Sequence, residues 1–382
     1  MLQYLFLVSR SFLINLEILL YMKFLINALT DWDDPPRARH QLSHALADKN
    51  HKIIFIAKNK AGTPSLNNIK NEGNITVITP LWYISGSYNM RLPLVNEIYQ
   101  NWLYKQLKLK YHDHVVINFD PTASLLHKYF KKVIYFCNDN FLSTKRSKSF
   151  LVSLYWAYKQ KKVAQKALFC TGASKYLHKY LLRYNKNSHL LLTGASMVHY
   201  RDSNFKIVNK NKKVNIVYVG WLTKLNVEWI KYISINKNYN IYLIGPGLNT
   251  TINCLDRIDN VIITGELVGD DLKKIIMEAN VCIAPYYQDK DTEENYVMTN
   301  KFWLYLSFGK PIVTCPINNL PDLPREFVYQ SKNKIEFLTN IGKAFSEDSP
   351  SIIEQRIKYI KQNTWDNRVE ELLGLYKKYA FS

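Results

Sequence analysis

Downstream of Met22 the chain alternates short, continuous apolar runs with longer segments in which apolar and polar residues intermix. The runs at 23–29, 51–57, 75–79, 115–119, 132–137, 167–171 and 189–193 predict strands, and 37–48, 93–110, 150–166 and 174–184 predict helices. Strands without polar alternation, separated by helices, indicate a mostly parallel sheet covered on both faces. After Asn204 the polar stretch KIVNKNKKVN interrupts the rhythm and predicts a linker at 205–212. The pattern then resumes with VNIVYVG (214–220), YNIYLIG (239–245), NVIITG (260–265), NVCIAPY (280–286) and KPIVTCP (310–316), with helices predicted at 268–279 and 300–308. The expectation is an α/β protein of two doubly wound Rossmann-like domains facing a central cleft, one over 22–204 and one over 213–360. Segments 350–360 and 365–379 also read as helical, and a C-terminal helix within 361–382, carrying Trp365, is expected to brace the pair. Sheets of this kind bind ligands outside the carboxyl ends of their strands.

The first 21 residues stand apart. Arg10 and Glu17 interrupt an apolar run that no small-residue cleavage site follows, which makes a poor secretion signal and a poor membrane span. An untranslated upstream extension and an accessory interfacial helix both stay open.

At 382 residues, with 47% apolar and 14% aromatic residues, the chain can bury two ordinary cores. Its charge of +20 is uneven: residues 1–200 hold 27 Lys and Arg against 10 Asp and Glu, whereas the remainder holds 24 against 21. The first half therefore attracts an anionic partner, whether nucleic acid, lipid headgroup or acidic substrate. Five cysteines without CxxC spacing, mostly in strand-like runs, read as reduced and mostly buried thiols of a cytoplasmic protein.

No G-x-G-x-x-G follows either first strand, and P-loop and HExxH motifs are absent, so hydride transfer, ATP hydrolysis and a zinc site lose their usual support. No motif requires a divalent metal, although carboxylates with a substrate pyrophosphate can hold magnesium. The distinctive segment is 284–316, APYYQDKDTEENYVMTNKFWLYLSFGKPIVTCP. A strand ends at Pro285, an acidic loop follows, and Thr299, Asn300 and Lys301 open a helix whose N–H groups and lysine charge suit a phosphate. On spacing alone, a simple cap at Thr299 with a solvated Lys301 is the favoured reading.

This segment resembles the donor site of two-Rossmann-domain (GT-B fold) bacterial glycosyltransferases, in particular teichuronic acid synthesis transferases and, more distantly, the xanthan glucuronyltransferase. That group commonly shows a strand ending in Pro-Tyr, an acidic loop, Pro-x-Lys-x-x-Glu-Tyr-Leu and then Gly-Lys-Pro-Val-Val. The matching residues are Pro285 and Tyr286, then Thr299, Asn300, Lys301, Tyr305 and Leu306, then Gly309, Lys310, Pro311, Ile312 and Val313. Gly220, Gly245, Gly265 and Glu266 extend the likeness through the second half, and DWDDPPRARHQ (31–41) and IYFCNDN (134–140) through the first. The resemblance implies a nucleotide diphosphate sugar donor held by the second domain, no tightly bound cofactor, and an acceptor at the first domain near Trp32, Arg37, Arg39 and Gln41. It further implies cell-surface polysaccharide synthesis, of capsule or lipopolysaccharide, on a lipid-linked or growing glycan at the inner face of the cytoplasmic membrane. The group's ribose-binding glutamate is Leu304 here, so that contact is absent, shifted, or supplied by a carboxylate such as Glu294.

An inverting transfer needs a base in the first domain. Asp139, after a strand end, is the first choice and Asp33 the second, each with a turn or cap role as its alternative. Arg37 and Arg39 suit an acidic sugar or lipid phosphate, or else pair with Asp33 or Asp34. Lysines 105, 108, 110, 128, 131, 132, 159, 161, 162 and 166 intermix with Trp102, Tyr104, Tyr129, Phe130, Trp156 and Tyr158, a composition suited to an anionic membrane surface or to inward aromatics beside solvated lysines. A nonenzymatic sugar-nucleotide binder is the rival reading. A nucleic-acid binder is disfavoured, because neither a zinc finger nor an RNP-like strand is present.

Overall fold

The computed structural model describes residues 21–141, 149–196, 213–287 and 299–381. It divides into two compact units, Met1–Thr193 with Arg368–Ser382, and Gly194–Asn367. The expected linker 205–212 and the N-terminal segment 1–20 lie outside the described residues.

The first unit is built on an eight-stranded sheet. Its strands are β1 (Lys23–Asn27), β2 (Lys52–Ile56), β3 (Ile69–Glu72), β4 (Ile75–Ile78), β5 (Val115–Asn118), β6 (Val133–Cys137), β7 (Phe169–Gly172) and β8 (Ser188–Leu190), in the order β8-β7-β6-β5-β1-β2-β4-β3. All neighbours pair in parallel except β3 with β4. Helices α1 (Ala38–Asp48), α2 (Pro93–Tyr111), α3 (Phe150–Lys166) and α4 (Lys175–Leu182) connect them. Burial explains the regular part of this pattern. Every residue of β5 and β6 is buried, as a parallel strand covered on both faces requires. By contrast β3 reads Ile-Lys-Asn-Glu, carries no apolar run and was not expected; it is an exposed edge strand, where polar side chains discourage further pairing. Start signals are conventional, with Pro93 opening α2 and the Ser174 hydroxyl accepting from the Leu177 N–H at 3.1 Å.

The second unit contains a six-stranded, wholly parallel sheet. It comprises β9 (Val214–Val219), β10 (Tyr239–Ile244), β11 (Val261–Gly265), β12 (Val281–Ala284), β13 (Ile312–Thr314) and β14 (Val328–Gln330), in the order β11-β10-β9-β12-β13-β14. Its helices are α5 (Val227–Ile233), α6 (Gly269–Glu278), α7 (Asn300–Ser307), α8 (Lys334–Ser346) and α9 (Pro350–Lys361), and α10 (Trp365–Ala380) runs on into the residues of the first unit. Two buried cations fasten the α7 end to its neighbours. Arg356 donates to the carbonyls of Gly309 (2.9 Å) and Glu326 (2.6 Å) and pairs with Asp348 (2.6 Å), while Lys310 donates to the carbonyls of Met277 and Ala279 at 2.7 and 2.8 Å. Burial lowers the pKa of both, and the carbonyl oxygens replace the water they have lost. Lys310 is therefore a strut, although it lies within the segment that resembles a donor site.

Each sheet is doubly wound about one point. In the first, β1 sits between β2 and β5, so successive connections leave it in opposite directions. In the second, β9 sits between β10 and β12. These two reversals are where open α/β sheets leave a crevice at the carboxyl ends of the strands. The sequence places Gly220 and Tyr286 at one, and Thr30 and Asp120 at the other.

Candidate functional site

At the second unit's reversal, β9 ends in Gly220 and β12 is followed by Pro285 and Tyr286. The segments are tied by the Asn226 N–H donating to the Pro285 carbonyl at 2.7 Å, and by a bridge between Leu225 and Tyr286. Lys301, in the first turn of α7, brings its ammonium 4.0 Å from the centre of the Tyr218 ring and 4.9 Å from that of Tyr286. A ring face attracts a cation without neutralising it. The ammonium stands against the bare Cα of Gly220, where a Cβ would come within 2.6 Å of Nζ. Gly245, at the end of β10, has φ +138°, and a Cβ there would lie 2.2 Å from the Gly220 carbonyl oxygen, so both positions require glycine.

The neighbouring expected residues divide clearly. Tyr286 and Thr299 meet hydroxyl to hydroxyl at 3.4 Å, and Thr299 precedes α7 without a side-chain cap bond. Asn300 is exposed at the helix start, whereas Tyr305 is fully buried and its hydroxyl accepts from the Val219 N–H at 2.7 Å, a support under the end of β9. Gly265 ends β11, its carbonyl accepting the Gly245 N–H, and Glu266 beyond it is exposed. Leu304, at the group's usual glutamate position, is half-buried against the unit's hydrophobic core. Glu294 lies outside the described residues.

In the first unit the reversal between β1 and β5 is lined with polar groups. Asn27 donates to the Asn118 side chain at 2.8 Å, and the Asp120 carboxylate accepts from the Thr122 N–H and hydroxyl, both at 2.7 Å. Burial pushes Asp120 up to about 6 against the opposing pull of those bonds and of Arg39. Asp120 was not among the expected residues, because FDPTA reads as an ordinary turn until β1 and β5 are known to be neighbours. Asp139 follows β6, with its carboxylate part-exposed, 3.9 Å from the Arg39 guanidinium. Asp33 is largely exposed and pairs with Lys70 at 3.7 Å.

Of the four residues expected near an acceptor, Arg37 and Arg39 line a pocket of about 190 Å³ in this unit, together with Thr30, Lys58, Ser87 and Arg91. Arg39 is buried and donates to the Ala28 carbonyl at 2.5 Å. Trp32 instead packs on His40, His44 and Phe55 and donates to Glu72, and Gln41 is half-buried; neither lines the pocket. Of the two readings of the basic, aromatic helices, three aromatics follow the inward one, whereas Tyr158 is exposed. Tyr104, Phe130 and Trp156 are buried, as is Lys159, which bonds Glu97 and Ser124. The exposed apolar side chains of α2 and α3 are Leu94, Ile98, Leu109, Phe150, Leu151, Leu154 and Tyr158.

No protein-family model and no curated relative matches the chain. Solved structures do. A UDP-forming trehalose-phosphate synthase from Burkholderia xenovorans superposes with a TM-score of 0.71 at 10% identity, over 94% of this chain and 99% of its own. HepE from Anabaena, solved in complex with UDP and glucose, gives 0.64 at 11% identity over 92% and 99%, and the apo lipopolysaccharide outer core galactosyltransferase WaaB gives 0.62 at 12% over 94% and 99%. The shared feature is the fold. The chain has the two-Rossmann-unit architecture of these glycosyltransferases.

Asp120 gives a pH signature. Its folded pKa lies above the unfolded value, so the protonated form favours the native state: the contribution is complete below about pH 4 and is lost as pH rises through about 6. Asp120→Asn, neutral throughout, should therefore gain stability over the parent between pH 4 and pH 7.5, by up to about 3 kcal/mol. Urea denaturation of both proteins across that range measures the difference, and parallel profiles would show that Asp120 is not held in a desolvated state.

Proposed function

We propose that the protein is a glycosyltransferase whose second unit binds a nucleoside diphosphate sugar and whose first unit binds the acceptor. The observation that carries this reading is the Lys301 ammonium, poised on two tyrosine faces beside a strand-end glycine at the sheet reversal. A diphosphate leaving group gains negative charge as the glycosidic bond breaks, and a fixed cation at that place stabilises the transition state more than the ground state. The relatives solved with UDP and glucose or named as UDP-forming support a uridine diphosphate donor. The positive charge assigned to the leaving diphosphate is that of Lys301; among the described residues no cluster of three or more acidic, histidine or cysteine side chains is arranged to hold a metal.

Removing the acceptor proton is assigned to Asp139, whose carboxylate reaches solvent beside a pocket-lining arginine, in preference to the nearly sealed Asp120. The acceptor is a lipid-linked or growing glycan of a cell-surface polysaccharide, and the protein works at an anionic membrane. Support for the membrane comes from the exposed leucine, isoleucine and phenylalanine side chains on α2 and α3, helices held together by Asn96 with Tyr155 and by Lys159 with Glu97, in the strongly basic half of the chain. No helix among the described residues is long and apolar enough to cross a bilayer.

Lys301→Ala should fold normally and bind UDP more weakly by about 1.5–3 kcal/mol in calorimetric titration, because one charge-assisted contact is lost. Equal affinity for UDP and GDP in the variant and the parent would refute the donor site. Asp139→Asn should bind donor as the parent does while lowering turnover by more than about 100-fold; near-normal turnover would remove Asp139 from the reaction. For the membrane, Leu94→Glu with Leu151→Glu should release the protein from anionic vesicles at an ionic strength that keeps the parent bound. Unchanged sedimentation would place the contact elsewhere.

A further inference from the structure

The pocket in the first unit carries more charge than its neighbours balance. Arg37, Arg39, Lys58 and Arg91 line it, and among the described residues no carboxylate does. Arg39 is partly offset by Asp139, 3.9 Å away, whereas among the described residues Arg37, Lys58 and Arg91 have no acidic side chain within salt-bridge distance. Like charges gathered around a small concavity repel one another, an arrangement that an anion relieves. Two polar groups of residues that line it also lack partners among the described residues. The Thr30 hydroxyl, on a residue only 5% exposed, and the buried Arg91 Nε have no hydrogen-bond partner. Buried donors without partners are uncommon and call for a ligand or water.

The walls are built for position. Thr30 follows Leu29, which holds φ +60°, a conformation uncommon for a branched residue outside functional turns, at the end of β1 where the sheet reverses. The Thr30 carbonyl accepts the Lys58 N–H at 3.0 Å, which couples the ends of β1 and β2. The Lys58 side chain lies against Gly86, where a Cβ would come within 2.7 Å of its Cγ. Arg37 is set by His40: the Arg37 N–H donates to Nδ1 at 3.0 Å, and Nε2 binds the Asp31 carbonyl at 2.9 Å. Burial lowers the pKa of His40, which keeps one nitrogen free to accept. Leu29, Met90, Phe141 and Trp156 supply an apolar lining.

We infer that this pocket binds a phosphate group carried by the acceptor. This deepens the proposed function and rests on its assignment of the acceptor to the first unit. A carboxylate brings one negative charge, whereas a phosphomonoester brings about −1.5 to −2 and three acceptor oxygens, which better matches three uncompensated cations and two idle donors. Arginine forks fit phosphate oxygens in pairs, and Lys58 adds a point charge. The volume is many times the ~10–15 Å³ that one water requires, so sugar or lipid attached to the phosphate can occupy the apolar side.

The test is calorimetric, on the full chain, with pyrophosphate, glucose 1-phosphate and glucuronate as probes. Lys58→Gln and Arg91→Gln should each weaken glucose 1-phosphate and pyrophosphate at least tenfold, with UDP affinity within twofold of the parent; retained UDP binding also shows that each variant is folded. Glucuronate should bind at least tenfold more weakly than glucose 1-phosphate. Phosphate binding that depends on Lys301 but on neither Lys58 nor Arg91, or glucuronate binding as well as glucose 1-phosphate, would overturn the inference. Should UDP fail to bind the parent while glucose 1-phosphate binds through Lys58, the donor reading falls and this pocket stands. Phosphatidate vesicles that compete with glucose 1-phosphate, where phosphatidylcholine vesicles do not, would identify the source as lipid-borne; inert vesicles with retained sugar phosphate binding would identify a water-soluble acceptor.

Discussion

The constraint on which the rest depends is the parallel pairing of strands buried on both faces. Such strands spend all their side chains on the core and keep only their carboxyl ends for chemistry. Doubly winding the sheet then opens those ends at one place in each unit, between β1 and β5 and between β9 and β12. Every group with a claim to function lies close to one of these reversals. At each, the backbone leaves the strand through an unusual conformation, Leu29 with φ +60° and Gly220 with φ +140°. Turning sharply there brings Thr30 and Lys58 together in one unit, and Lys301 against Gly220 in the other.

Cations serve two distinct ends in this molecule, and burial with the type of partner separates them. Arg356 and Lys310 are buried and bonded to carbonyls, with Asp348 paired to the arginine, and removing either would strand several acceptors at once. Lys301 has ring faces on two sides, and Lys58 lies along a glycine. A ring face or a glycine fixes where a charge stands, and a charge held in place is a condition for binding an anion. In each unit a lysine lies against a glycine, Lys301 on Gly220 and Lys58 on Gly86.

The helices on the outside of the first sheet show how the same composition can support opposite pictures. Lysine and aromatic residues intermix along α2 and α3, yet Tyr104 and Trp156 turn inward, and Trp156 donates to the Met90 carbonyl at 2.9 Å. An indole or phenol gains more by filling the core and finding a partner there than by standing in solvent. Leucine and isoleucine side chains of the same helices stand exposed. An exposed apolar surface in a basic field is a property of this packing, and the aromatic count by itself does not disclose it.

Most of the regular structure was legible in the sequence, because mainly apolar runs such as 115–119 and 132–137 suit strands buried on both faces, and their spacing leaves room for the helices between them. The edge strand β3 escaped because pairing at a sheet edge asks for no apolar run. Of the site, the residues adjacent in sequence were legible: Thr299 to Lys301 at a helix start, and glycines at strand ends. What depended on strand order was not. Asp120 becomes buried beside Asn27 and Asn118 only because β5 lies next to β1, and Lys58, Ser87 and Arg91 join Arg37 and Arg39 only when three separate segments converge. Local pattern determined the elements and their burial, since these follow from periodicity along the chain. Tertiary structure alone decided which charges share a pocket and which are spent on the core, because that depends on neighbours brought together across the sheet.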